Sequence, residues 1–130
     1  MSARKPTPRP TAAELEILRV LWQRGPSTVR EVQETLEASR PTGYTTALKM
    51  LQIMSEKGLV RRDVRQRTHV YRAHLPQEQT QRQLVVDLLE RAFDGSAMHL
   101  VMQALTTRKA SAEEIARIRE MLDELEGESR

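Results

Sequence analysis

Residues 44–73 read YTTALKMLQIMSEKGLVRRDVRQRTHVYRA, and the hydrophobic period changes partway through them. From Tyr44 to Lys57 the apolar residues recur at helical spacing. Ala47, Met50, Leu51 and Met54 fall on one arc of the wheel, the width of a core-facing stripe. Gly58 stops that helix. Leu59 to Val64 then alternates as a strand, Arg65-Gln66-Arg67 forms a turn, and Thr68 to Ala73 returns as a second strand. A helix leading directly into a basic hairpin is the second half of a winged helix-turn-helix.

The residues upstream supply the first half. Thr11 with Glu14 makes a capping box, and Leu15, Leu18, Val20, Leu21 and Trp22 follow at helical spacing until Gly25-Pro26. Thr28 with Glu31 repeats the box and opens a helix over about residues 29–38, with Val29, Val32 and Leu36 as its stripe. Ser39 to Gly43 breaks the chain before the third helix. Residues 1–10 form a basic arm in which Pro6, Pro8 and Pro10 forbid a helix.

Beyond Pro76 the sequence reads as helix throughout. Residues 77–93 carry Leu84, Val85, Leu88 and Leu89, and Asp94-Gly95-Ser96 turns the chain. Met98, Val101, Met102 and Leu105 mark a fifth helix. Ser111 with Glu114 makes a third capping box and opens a sixth, with stripe Ile115, Ile118, Leu122 and Leu125. These stripes are large and have little chain nearby to cover them, so a second copy is the expected cover. The fold class is therefore mainly α: a winged-helix domain over 11–75, followed by a helical dimerisation segment over 76–126.

Composition narrows the function. The net charge of +3 conceals an asymmetry: residues 1–76 hold 14 Lys/Arg against 7 Asp/Glu, and residues 77–130 hold 7 against 11. The first part is suited to a polyanion, the second is not. No cysteine is present, which removes disulfides and thiolate metal sites. His69, His74 and His99 have no ligand spacing, so no metal or cofactor is expected. No Ser/His/Asp set, phosphate loop or HExxH motif suggests an enzyme. No stretch approaches the roughly 18 apolar residues of a membrane span, and the expected location is the cytoplasm.

On the third helix, the face opposite the buried stripe shows Thr45, Lys49, Gln52 and Glu56, with Thr46 and Ile53 at its edge. Short hydroxyls in the first turn can approach phosphates or base edges. Arg61, Arg62, Arg65, Arg67 and Arg72 load the hairpin. The partner these residues predict is double-stranded DNA.

The blocks LEILRVLWQRGPSTVREV, GYTTALKMLQIMSEKGLVRR, HVYRAHL, FDGSAMHLVMQAL and SAEEIARIREMLDELE, in this order and spacing, resemble the penicillinase-repressor family of winged-helix regulators. The resemblance covers about residues 10–126. It implies a homodimeric repressor on an inverted-repeat operator with TACA/TGTA cores, governing β-lactamase or related stress genes. By position it places Thr45, Thr46 and Lys49 at DNA, with Tyr44 at the helix entrance; Ile53 stands where a basic residue is common. It also implies a membrane-bound sensor protease as a partner, acting directly or through a second step. The bond cut in the best-studied members is Asn-Phe, and Gln103-Ala104 occupies that place here. The copper-responsive branch uses a cysteine motif that this chain lacks. The alternative reading is a ligand-sensing winged-helix regulator of the MarR or PadR type, which would need a more aromatic pocket.

Overall fold

The computed structural model describes residues 9–128. The N-terminal arm expected over 1–10 therefore lies largely outside the described residues. The chain divides into two compact units, one ending at Leu84 and the other beginning at Val85.

In the first unit, α1 (Ala12–Arg24), α2 (Val29–Glu37) and α3 (Tyr44–Lys57) stand before a three-stranded sheet. Both expected capping boxes are present. Thr11 Oγ1 accepts the Glu14 amide at 3.1 Å while Glu14 Oε1 accepts the Thr11 amide at 2.8 Å. Thr28 and Glu31 repeat this at 3.2 and 2.9 Å. Two orphan amides per helix are satisfied in this way, a local device independent of tertiary context. Gly58 ends α3 at φ +83, a left-handed conformation unfavourable to side chains, and Leu59 N–H returns to the Met54 carbonyl.

The sheet has the antiparallel order β1-β3-β2, from β1 (Ser27–Thr28), β2 (Val60–Asp63) and β3 (Val70–Ala73). Sequence periodicity does not predict β1; Ser27 and Thr28 pair with Tyr71 and Val70, far along the chain. The hairpin strands are also shorter than the expected 59–64 and 68–73. Asp63 Oδ1 accepts the Arg65 amide at 3.0 Å, which turns the chain out of the ladder one residue early.

Ile17, Leu18, Leu21, Val32, Leu36, Ala47, Leu51, Met54, Val60 and Tyr71 form the centre of one hydrophobic cluster. Three of the four expected α3 residues are fully buried; Met50 packs only at the margin. The Trp22 indole N–H donates to the Leu75 carbonyl at 3.0 Å. A partly buried ion pair joins the first turn of α1 to the end of α3: Lys57 Nζ donates to Glu14 at 2.8 and 3.1 Å, with Glu14 only 4% exposed.

α4 (Gln77–Ala92) carries the chain from the first unit into the second. The sequence places the domain boundary at Pro76, where α4 opens. In the structure the first unit extends further, because Thr80 is buried and the early turns of α4 belong to it.

The second unit continues through α5 (Ala97–Thr107) and α6 (Ala112–Glu128). Ser96 and Ser111 cap these helices, accepting the amides of His99 and Glu114; the third expected box is thus formed on its hydroxyl side only. Neither α5 nor α6 buries a single residue.

Candidate nucleic-acid interface

The packing of α3 decides which of its residues face outward. With Ala47, Leu51 and Met54 buried, Thr45, Thr46, Lys49, Gln52 and Ile53 are all exposed, as is Tyr44 at the entrance. Gly43 provides no side-chain cap, in contrast to Thr11 and Thr28. The first-turn amides of α3 are thus left for an external acceptor, at the positive end of the helix dipole.

Two concavities flank α3. On one side a groove of about 600 Å³ is lined by Thr28, Val29, Arg30, Tyr44, Leu48, Arg67, Thr68, His69 and Tyr71. On the other, a smaller hollow of about 180 Å³ includes Arg40, Thr42, Gly43, Thr46 and Met50. Thr45, Lys49 and Gln52 project between these flanks. Thr46 is turned to the side away from the wing.

Arg61, Arg62, Arg65 and Arg72 line one open hollow on the hairpin with Asp63, whereas Arg67 lines the groove beside α3. Arg61 lies opposite Arg72 and Arg62 opposite Tyr71 across the β2–β3 ladder. Cross-strand partners share a face, so Arg62 is on the side of the buried Tyr71 and Arg61 is on the outer side. Arg61 Nε donates to His74 Nδ1 at 2.8 Å. Arg65 is held by Asp63, with Nε 3.1 Å from Oδ1 and Nη2 2.9 Å from Oδ2. Bonding from the Arg65 side chain and its amide carries the Asp63 carboxyl down to about 2, and the same pairing raises Arg65. Asp63 therefore offsets the Arg65 charge, while Arg67, at the tip, lines the groove beside α3. Sequence reasoning gives these arginines equal weight because the Asp63 pairing depends on how the turn folds.

Two nitrogen-bearing side chains of this lining, Arg30 and His69, are not among the DNA-binding candidates read from sequence. The Arg30 guanidinium lies 6.0 Å from the centroid of the Tyr44 ring. The signal that could have located it is a cation two residues after the Thr28 cap, on the helix that precedes the reading helix.

The family model for the penicillinase repressor matches residues 10–124. This chain belongs to the penicillinase-repressor family. It is 33% identical over 114 residues to the transcriptional regulator BlaI of Mycobacterium tuberculosis, covering 87% of this chain and 82% of that protein. It is 25% identical over 120 residues to the penicillinase repressor of Bacillus licheniformis, covering 92% and 94% respectively. A solution structure of monomeric Bacillus licheniformis BlaI in complex with the blaP half-operator aligns at 25% identity and a TM-score of 0.49, over 56% of this chain and 89% of that one. The family is one of transcriptional repressors and not of enzymes, and the family match over residues 10–124 favours it over the MarR- or PadR-type alternative.

Among the described residues no His, Asp or Glu cluster is gathered for a metal ion, and no helix is long and apolar enough to cross a membrane.

Proposed function

We propose that this chain is a sequence-specific transcriptional repressor that binds an inverted-repeat operator as a homodimer in the cytoplasm. The observation that carries the reading is the uncapped N-terminus of α3, whose exposed face of Thr45, Thr46, Lys49 and Gln52 lies beside the groove that Arg67 lines. Such a helix fits the major groove, with Lys49 and Gln52 able to reach base edges and the first-turn hydroxyls to reach phosphates. Arg61, Arg62 and Arg67 add sequence-independent attraction.

The second unit supplies the reason for a dimer. Leu88, Met98, Val101, Met102, Leu105, Ile115, Leu122 and Leu125 are all exposed large hydrophobics, while Leu89 and Ile118 are partly covered, as is Leu84, the last residue of the first unit. Met121, at 60% exposure, joins them and is absent from the sequence candidates. An apolar surface on this scale is a partner surface, and a second copy places two reading helices on two half-sites.

Release from the operator fits a sensor-linked protease only in modified form. Gln103 and Ala104 lie within α5, which presents no Asn-Phe bond and must open locally before any protease can seat the chain. We infer that release proceeds without a cut at this bond. The repertoire of regulated genes, β-lactamase or related stress genes, is tested by sequencing the genomic fragments that the purified protein retains. Retained fragments sharing an inverted repeat with TACA/TGTA cores are the expected result; random retention removes the specific-repressor reading.

A further inference from the structure

We propose that the groove between the start of α2, the start of α3 and the wing tip seats one backbone phosphate of the bound DNA. In this assignment Arg30 is a phosphate-gripping residue, with the Tyr44 ring as its backing. The proposal rests on the DNA-binding reading above and adds Arg30, a residue of neither the reading helix nor the wing, to the groups that hold the backbone.

Three observations converge on it. The Arg30 guanidinium lies 6.0 Å from the Tyr44 ring centroid, a placement that orients the group through the face of the ring and leaves its N–H donors available to a ligand. Neighbouring basic residues are already occupied: Arg24 with Glu31, Arg40 with Glu16, Lys57 with Glu14 and Arg65 with Asp63. Among the described residues no carboxylate pairs with Arg30, although Glu34 follows it one turn along α2. Finally, the groove lining brings Arg30 from α2 together with Arg67 and His69 from the wing, and it contains no acidic side chain.

A concavity with cations converging from two elements and no carboxylate selects an anion. Its position selects which anion. Tyr44 directly precedes Thr45 on the reading face, so a strand whose bases meet Thr45, Lys49 and Gln52 passes its sugar-phosphate edge over this groove. A planar fork on an aromatic backing is suited to a phosphodiester.

The test uses the full-length protein and a synthetic duplex carrying inverted TACA/TGTA cores, alongside a random-sequence duplex. Arg30→Gln keeps a polar side chain at an exposed position and removes the charge. Binding to both duplexes is expected to weaken by the same factor. With one phosphate fewer neutralised at each half-site, two for the dimer, the wild-type advantage should shrink about 12-fold between 50 and 200 mM salt, following a salt slope of about 0.9 per phosphate. Single neutral methylphosphonates are then scanned along the backbone. One position per half-site should weaken wild type several-fold while leaving Arg30→Gln indifferent, and Tyr44→Phe, which keeps the ring, should behave as wild type. An Arg30→Gln protein that keeps its sensitivity at every position, or shows an unchanged salt slope, overturns the assignment. A wild-type protein without salt-dependent binding to either duplex would overturn the DNA-binding reading itself, a result distinct from failure at Arg30 alone.

Discussion

Replacing Glu14 with Gln isolates the charge of the ion pair that ties the first turn of α1 to the last residue of α3. Glutamine keeps the shape, and its carbonyl still accepts the Thr11 amide, so the capping geometry survives. The substitution removes the charge from the two bonds at Oε1, from Thr11 N–H at 2.8 Å and Lys57 Nζ at 3.1 Å, and it loses the 2.8 Å bond from Lys57 Nζ to Oε2, because the amide nitrogen that replaces Oε2 only donates. A hydrogen bond to an ionised group contributes about 1.5–3 kcal/mol against about 0.5–1.5 for a neutral one, so two such changes and one lost bond cost roughly 3 kcal/mol before any rehydration. Lys57 is 34% exposed, so its ammonium can recover part of its hydration, and the expected loss is about 1.5 kcal/mol. For a unit of this size that lowers the melting temperature by about 6–12 °C. The effect is pH-dependent. Burial alone would raise the Glu14 pKa, but hydrogen bonding from Lys57 and Thr11 prevails and holds it below the ordinary 4.5. A depressed carboxyl contributes its stability above the unfolded value and loses it as pH falls through the folded one. The gap between wild type and Glu14→Gln should therefore be full near neutral pH and close progressively below about 4.5. Urea unfolding at several pH values measures it, with Lys57→Met completing a double-mutant cycle. A coupling energy near zero, or a gap that persists in acid, refutes the reasoning.

Other expectations follow from the same geometry. Lys49→Ala should weaken operator binding by roughly 1–3 kcal/mol while the fold survives, because Lys49 is on the exposed side of α3; an unchanged titration curve removes it from the reading face. Arg67→Gln should reduce the salt slope of DNA binding more than Arg65→Gln, since Asp63 already offsets Arg65; equal slopes would show that the pair opens on DNA. Gly58→Ala should cost about 1 kcal/mol through backbone strain alone, because φ is +83 and nothing lies within 4 Å of an added Cβ; a loss above twice that in thermal melts would reveal a hidden steric conflict. Leu122→Asp should drive the dimer to monomer in sedimentation, by placing a charge in the apolar surface of α6; an intact dimer moves the interface elsewhere.

The parts of the fold legible in sequence are those whose causes are local. The boxes at Thr11–Glu14 and Thr28–Glu31, the Gly58 stop and the α3 stripe each depend on residues within a turn or two of one another, and the structure reproduces them. The features that escaped depend on partners distant in the chain or on turn geometry. β1 exists only because Tyr71 and Val70 return beside Ser27 and Thr28. Glu14 is visible in sequence as a cap but not as the Lys57 partner, 43 residues away. Arg65 counts as a free cation in sequence because nothing in RDVRQR announces that the turn folds its guanidinium onto Asp63. Arg30 escaped because its significance comes from the Tyr44 ring on another helix.

The lone tryptophan has a practical consequence. Trp22 is held to the Leu75 carbonyl inside the first unit, and both tyrosines, Tyr44 and Tyr71, lie in that unit as well. The second unit holds neither residue type among its positions, yet it contains two full helices, α5 and α6. Indole emission is thus a resident optical reporter of the reading unit alone, whereas far-ultraviolet circular dichroism sums over both. Recording the two signals through one denaturant titration separates melting of the reading unit from melting of α5 and α6, without adding a label.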